Sequence, residues 1–216
     1  QVATIATPDE NWNGSEDIEF TATDTGDGTS EALSASDMAT LEVTAVNDAP
    51  VLTEIGSQET SEDTALVLIL DATDVDEDNL TFSAFSEQPN NVAAEVIDSQ
   101  LTLTPAENWN GTANITVTVS DGFLTDDETF VLTVNQVNDA PKALSVVIEP
   151  SVPTINDPLV LTYTYDDVDG DDESGTTITW YKDDLEQVEF SGLFIIPASA
   201  TACDEQWYAE VTPSDG

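Results

Sequence analysis

Between Pro50 and Val134 apolar and polar positions alternate in short runs, separated by clusters of Asp, Asn, Gly and Ser. Ala65-Leu66-Val67-Leu68-Ile69-Leu70 is a short, fully apolar run and predicts a buried strand. Leu80, Phe82 and Ala84 alternate with polar neighbours, as do Leu101 and Leu103. Ile115, Val117 and Val119 follow the same rule, then Phe130, Leu132 and Val134, with Thr at many outward positions. A period of two reads as half-buried antiparallel strands, and no helical period occurs. Adding a strand after Pro50 and a weaker one over Val92 to Ile97 gives about seven strands, the number in a closed two-sheet sandwich.

The chain also repeats itself. Thr7-Pro8-Asp9-Glu10-Asn11-Trp12-Asn13-Gly14 returns as Thr104-Pro105-Ala106-Glu107-Asn108-Trp109-Asn110-Gly111. Val46-Asn47-Asp48-Ala49-Pro50 returns unchanged as Val137-Asn138-Asp139-Ala140-Pro141, a period of 91 residues (141 − 50). Self-similarity at fixed spacing is the signature of an array of units. Three segments are predicted: 1–46, the later part of one module; 47–137, a complete module; and 138–216, a module of different pattern. In the first, Ile18, Phe20 and Ala22 correspond to Ile115, Val117 and Val119, so it supplies too few strands to close a core alone. The third has strands near Ser145–Ile148, Leu159–Tyr165, Thr177–Tyr181, Leu193–Ile196 and Trp207–Thr212, with Trp180 and Trp207 predicted in its core. Its last strand is expected beyond Gly216, and upstream sequence is expected to complete the first module.

Charge narrows the partners. Against 45 acids stand two lysines, Lys142 and Lys182, with no arginine and no histidine, for a formal charge of −43. Such a surface repels nucleic-acid phosphates and anionic lipid. No apolar run approaches the roughly 20 residues needed to span a bilayer, so direct membrane insertion is not expected. Something must offset the self-repulsion: divalent cations, high external salt, or both. The lone Cys203 excludes an internal disulfide and is expected to be a small buried hydrophobe.

The acids are not scattered evenly along the modules. Counting strands up and down places Asp74-Val75-Asp76 and Asp121 at one end of the middle module, and Glu62 and Glu107 at the other. Stacking modules end to end then gathers Glu10, Asn47, Asp48, Asp74, Asp76 and Asp121 at one junction. The next gathers Glu62, Glu107, Asn138, Asp139, Asp167, Asp169 and Asp215. Calcium takes six to eight oxygens from carboxylates, amides and carbonyls, so these are the candidate ligands of Ca2+. Asp and Asn also favour turns for their own sake, but two matching sets in matching order are less easily explained so. Asp74-x-Asp76-x-Asp78 and Asp167-x-Asp169-x-Asp171 open like an EF-hand loop but lack its downstream spacing and flanking helices.

With Asp74-Val75-Asp76, Glu107-Asn108, Ser120-Asp121-Gly122 and Val137-Asn138-Asp139-Ala140-Pro141, the middle module resembles the cadherin-like tandem repeats of large bacterial and archaeal surface proteins and adhesins. The first segment resembles the same family. The third, with Asp167-Val168-Asp169-Gly170-Asp171, Trp180 and Trp207, is similar to another Ig-like repeat of such proteins. The resemblance implies an all-β fold of tandem Ig-like (cadherin-like) antiparallel sandwiches arranged end to end. It also implies interdomain calcium and an extracellular or cell-surface location. Where animal cadherins carry an acidic tripeptide after the fifth strand, this chain has Ala106-Glu107-Asn108, which leaves the ion number open.

Other features read more plainly. Trp12 and Trp109 are expected to pack under their Asn/Gly turns, against the alternative of a sugar-stacking platform. Sequons at Asn13, Asn79, Asn110 and Asn114 are candidate glycosylation sites. No histidine and no nucleophile–base pair supports catalysis, and the acidic clusters are absorbed by the junctions. The expected function is a calcium-rigidified, non-catalytic segment of a stalk or fibre, whose partners are neighbouring modules of the same chain. Three alternatives stand beside it: a carbohydrate-binding accessory module of a polysaccharide-active protein, a filament subunit that assembles with like chains by strand donation, and simple adaptation to high salt. A surface glycan or protein as the adhesive target is left open.

Overall fold

A computed structural model describes residues 4–5, 11–25 and 31–216. The chain is all-β, as the alternation requires, with no α-helix among the described residues. It divides into two compact units, Gln1–Thr60 with Ala65–Thr104 and Thr112–Thr133, and Ser61–Thr64 with Pro105–Gly111 and Val134–Gly216. These units do not follow the repeat boundaries: two turns of the middle module group with the third.

In the first unit β1 (Gly14–Thr23) and β2 (Ser34–Val43) form an isolated antiparallel hairpin, Phe20 opposite Asp37 and Ile18 opposite Ala39. Its residues are largely exposed, Phe20 and Met38 included, as expected of two strands without a second sheet among the described residues.

The middle module contains β3 (Val51–Leu52), β4 (Gln58–Ser61), β5 (Leu66–Ile69), β6 (Ala72–Thr73), β7 (Thr81–Ser86), β8 (Val92–Ile97), β9 (Gln100–Pro105), β10 (Gly111–Ser120) and β11 (Thr125–Asn135). Its sheets run β4-β11-β10-β7 and β5-β9-β8, with β3 paired to β6. The seven predicted strands are there, but the first and second are each broken in two. Between β3 and β4 the Glu128 carboxylate accepts the N–H groups of Ile55 (2.8 Å) and Gly56 (3.1 Å), where Gly56 takes φ +65°. Backbone donors freed from the ladder are thereby satisfied. Leu101, Leu103, Ile115, Val117, Val119 and Leu132 are fully buried, each contributing roughly 1.5–3 kcal/mol of hydrophobic stabilisation. The expectation for residues 65–70 needs correction. Val67 and Ile69 are exposed (48% and 73%), because this sheet buries one face only and period two sends alternate side chains outward.

The third module contains β12 (Lys142–Glu149), β13 (Leu159–Asp166), β14 (Thr177–Lys182), β15 (Leu185–Glu186), β16 (Ile195–Ile196) and β17 (Trp207–Thr212). Sheets β12-β13-β16 and β15-β14-β17 enclose Leu159, Leu161, Ile178, Trp180 and Ile196. Trp180 is wholly buried and its indole N–H donates to Leu193 O (2.8 Å), the partner a buried tryptophan needs. Trp207 packs edge-on against it, partly buried. Cys203, expected inside, is exposed. It lies in the turn before β17, whose inward positions are taken by Trp207, Ala209 and Val211.

Candidate calcium sites

Two loops fold in the same way, one after β6 in the middle module and one after β13 in the third. Asp74 Oδ1 accepts the N–H groups of Asp76 (2.8 Å) and Asp78 (3.4 Å). Asp167 Oδ1 accepts those of Asp169 (2.9 Å) and Asp171 (3.2 Å). The fourth loop position has positive φ in both, filled by Glu77 (60°) in one and Gly170 (78°) in the other. Curling the loop around its first aspartate brings Asp74, Asp76 and Asp78 together, and likewise Asp167, Asp169 and Asp171, with one oxygen of each within 4.8 Å of the others.

The linkers dock onto these loops by matching bonds. Asn47 Nδ2 donates to Asp121 Oδ2 (2.8 Å) and to Asp48 O (3.1 Å), while the Asp48 N–H donates to Asp76 Oδ2 (2.8 Å). In the second unit Asn138 Nδ2 donates to Asp215 Oδ2 (2.7 Å) and Asp139 O (3.4 Å), and the Asp139 N–H donates to Asp169 Oδ2 (2.6 Å). The repeated sequence motif is thus a repeated hydrogen-bond circuit.

The second circuit extends further. Glu62 follows β4; its Oε1 accepts the Val137 N–H (2.6 Å), and its side chain is almost fully buried (2% exposed). Glu62, Asp139 and Asp169 present oxygens within 4.8 Å of one another. Like charges at that spacing repel by more than thermal energy even in bulk water, and by more in a protein interior. Glu62 Oε2, Asp139 Oδ2 and Asp74 Oδ2 are buried with no hydrogen-bond partner. Buried polar atoms are nearly always satisfied, so three unpartnered carboxylate oxygens beside further carboxylates fit a hard cation.

Electrostatics mark the same positions. Burial pushes the Asp139 carboxyl above its ordinary value, reinforced by Asp169, Asp63 and Glu62 and opposed by Lys142. In the ion-free chain a raised value means that folded-state stability declines as pH climbs from the ordinary aspartate value through the raised one. Tyr165, whose hydroxyl lies 3.5 Å from Asp167 Oδ2, is pushed up to about 12 by burial and by the charges of Asp167 and Asp215. Asp121 shows the opposite shift. The Asn47 amide and the N–H groups of Leu124 and Phe123 hold its carboxyl below the ordinary 3.8. That stabilisation is present above pH 3.8 and lost as pH falls through the depressed value. Asn47→Ala is therefore expected to lower the unfolding midpoint near neutrality, with the gap to the unmodified chain closing on acidification. Thermal unfolding from pH 7 to pH 2 measures it, and a gap that persists at the acid end contradicts it.

Not every predicted ligand is drawn in. Glu10 lies outside the described residues. Glu107 is exposed and belongs to none of the close carboxylate groups, while its neighbour Asn108 donates its N–H to Asp63 Oδ1 (3.0 Å). Asp78 and Asp171 join the loops although the EF-hand reading rightly fails. Asp63 and Gln136, whose Nε2 donates to Asp169 Oδ1 (2.8 Å), were not anticipated. The repeat gives no signal for Gln136, because Ala45 holds the corresponding place. Trp12 and Trp109 are half-buried, and a Cβ on Gly111 would lie 3.0 Å from the Trp109 ring, so the indole packs on its own turn. Asn13, Asn79, Asn110 and Asn114 are exposed, and Asn114 Nδ2 donates to Glu87 Oε2 (2.9 Å).

Comparison with known proteins places the middle module. Residues 46–135 match the cadherin-like domain family. Among solved structures, Drosophila N-cadherin EC1-4 is similar at 13% identity, TM-score 0.39, over 94% of this chain and 56% of that one. The N-terminal eight Ig domains of Down Syndrome Cell Adhesion Molecule are similar at 14% identity, TM-score 0.35, over 92% and 31%. An endo-fucoidan hydrolase of glycoside hydrolase family 107 is similar at 17% identity, TM-score 0.37, over 96% of this chain and 34% of that one. This chain therefore spans about a third of the hydrolase and of the eight-domain structure, and about half of the cadherin. No curated protein sequence matches. Among the described residues no helix is long and apolar enough to cross a membrane. Residues 46–135 thus match the cadherin-like domain family, within a chain whose described residues form antiparallel β-sheets.

Proposed function

We propose that this chain is a calcium-rigidified structural segment of an extracellular or cell-surface stalk, and not a catalytic one. The observation that supports it most is the group Glu62, Asp139 and Asp169, where two buried oxygens lack partners. Calcium at that group would be held by these carboxylates, with Asp167 and Asp171 close by on the loop shared with Asp169. When bound, the ion supplies positive charge and oxygen coordination that offset the repulsion. The turn bearing Glu62, the linker Asn138-Asp139 and the loop Asp167–Asp171 are then fixed to one another. In the first unit Asn47, Asp48, Asp74, Asp76, Asp78 and Asp121 play the same part.

Extracellular calcium modules bind with Kd of roughly 10⁻⁴–10⁻³ M. Terbium(III) tests the site directly. Tyr165 lies beside Asp167, so excitation of tyrosine is expected to sensitise terbium emission that saturates, that millimolar calcium displaces and that sodium at equal ionic strength does not. Displacement by sodium would favour plain salt adaptation. Small-angle scattering then tests the stalk: chelation is expected to change the maximum dimension while strand content by circular dichroism stays constant. An unchanged dimension would count against rigidification even where the metal binds.

A further inference from the structure

The chain has two cations, and they are placed differently. Lys182 is engaged, its Nζ 3.3 Å from Glu205 and 5.7 Å from the Trp207 ring centre. Lys142 opens β12, three residues beyond Asp139, opposite Asp166 in the β12–β13 register. Asp166 directly precedes the Asp167–Asp171 loop, so both backbone neighbours of Lys142 in this region lead into the carboxylate cluster. In the preceding repeat the same position, after Asn-Asp-Ala-Pro, is Val51. The third module therefore opens on an ammonium-bearing side chain at the position where the preceding repeat has an isopropyl group.

We propose that Lys142 is a built-in counter-ion of the Glu62–Asp139–Asp169 group, competing with the divalent cation and raising the calcium concentration at which this group fills. The inference rests on the calcium reading above. Without metal the ammonium offsets part of the carboxylate repulsion, in line with its opposing effect on the Asp139 carboxyl. With metal it is a positive charge near a positive ion, which weakens binding. One side chain then acts with opposite sign on the two states. Lys142 is exposed, so its effect is screened by salt.

Two charge-removing variants, Lys142→Val and Lys142→Gln, and the charge-keeping Lys142→Arg test this in the full chain, with terbium alone as the first probe and calcium as competitor. At low ionic strength Lys142→Val and Lys142→Gln are expected to bind terbium and calcium about two- to fivefold more tightly, the gain shrinking as salt approaches 0.5 M. Their metal-free unfolding midpoint is expected to fall, and Lys142→Arg to match the unmodified chain in both measurements. A purely structural lysine would lower the midpoint without tightening the metal. Unchanged or weaker affinity in both charge-removing variants, with terbium still saturating the unmodified chain, would overturn the proposal and leave the calcium reading intact. Equal tightening in Lys142→Arg would also overturn it. Absence of saturable emission from the unmodified chain would sink the calcium reading itself, and this proposal with it.

Discussion

Asp169→Asn is expected to abolish most of the calcium-dependent stabilisation of the second unit while leaving the metal-free protein as stable as before, or more so. Asp169 is the one side chain common to both carboxylate groups of that unit. Its oxygens also receive the Asp139 N–H (2.6 Å) and the Gln136 amide (2.8 Å). Asparagine keeps the shape and one acceptor but removes a charge from each group. For a Kd of 10⁻⁴–10⁻³ M, 10 mM calcium stabilises the folded state by roughly 1.4–2.7 kcal/mol. In a unit of about a hundred residues that corresponds to a rise in the unfolding midpoint of roughly 6–20 °C. In Asp169→Asn the rise is expected to fall below about 3 °C. Scanning calorimetry with calcium and with chelator reads both signs at once. A substitution that merely damages folding lowers both midpoints together; loss of a ligand removes only the difference between them.

Much of this arrangement could be read in the letters. Alternation placed Ile115, Val117 and Val119 on the inner face of β10, and they are fully buried. The recurrence of Asn-Asp-Ala-Pro picked out two linkers that make the same bonds to an Asp-x-Asp loop and to an aspartate at the end of a strand. Repetition exposes such a device because two copies of one circuit need the same residue types in the same order. What stayed hidden depends on one copy only, or on the path of the backbone. Gln136 has no counterpart in the earlier linker, and Asp63 acts through the Asn108 N–H, which no side-chain pattern reports. Glu128 reads as another surface acid, yet it satisfies the backbone where the first strand breaks. An acidic chain conceals its structural carboxylates among its candidate ligands. Burial separates them: the unpartnered oxygens belong to Glu62, Asp74 and Asp139, while Glu128 is fully engaged with N–H donors.

Trp180→Ala is expected to remove calcium binding from the second unit and leave it in the first, although Trp180 is not among the carboxylates. The indole is wholly buried in a core of five buried residues and holds Leu193 O by its N–H (2.8 Å). Removing a buried tryptophan costs about 3–5 kcal/mol, against a total stability of roughly 5–15 kcal/mol for an ordinary domain. The loop Asp167–Asp171 leaves the end of β13, whose Leu159 and Leu161 belong to the same core. Its aspartates converge only while that sheet holds its register. Loss of the core should therefore remove tyrosine-sensitised terbium emission, since Tyr163, Tyr165, Tyr181 and Tyr208 all lie in this unit. Calcium titration calorimetry should still detect the group around Asp74, whose loop follows β6 and whose linker contact, Asn47 to Asp121, lies wholly in the first unit. If both heats vanish together, folding of the two units is coupled and the sites are not independent. If the terbium signal survives, the ligands are held by the linker bonds alone and the sandwich is not what positions them.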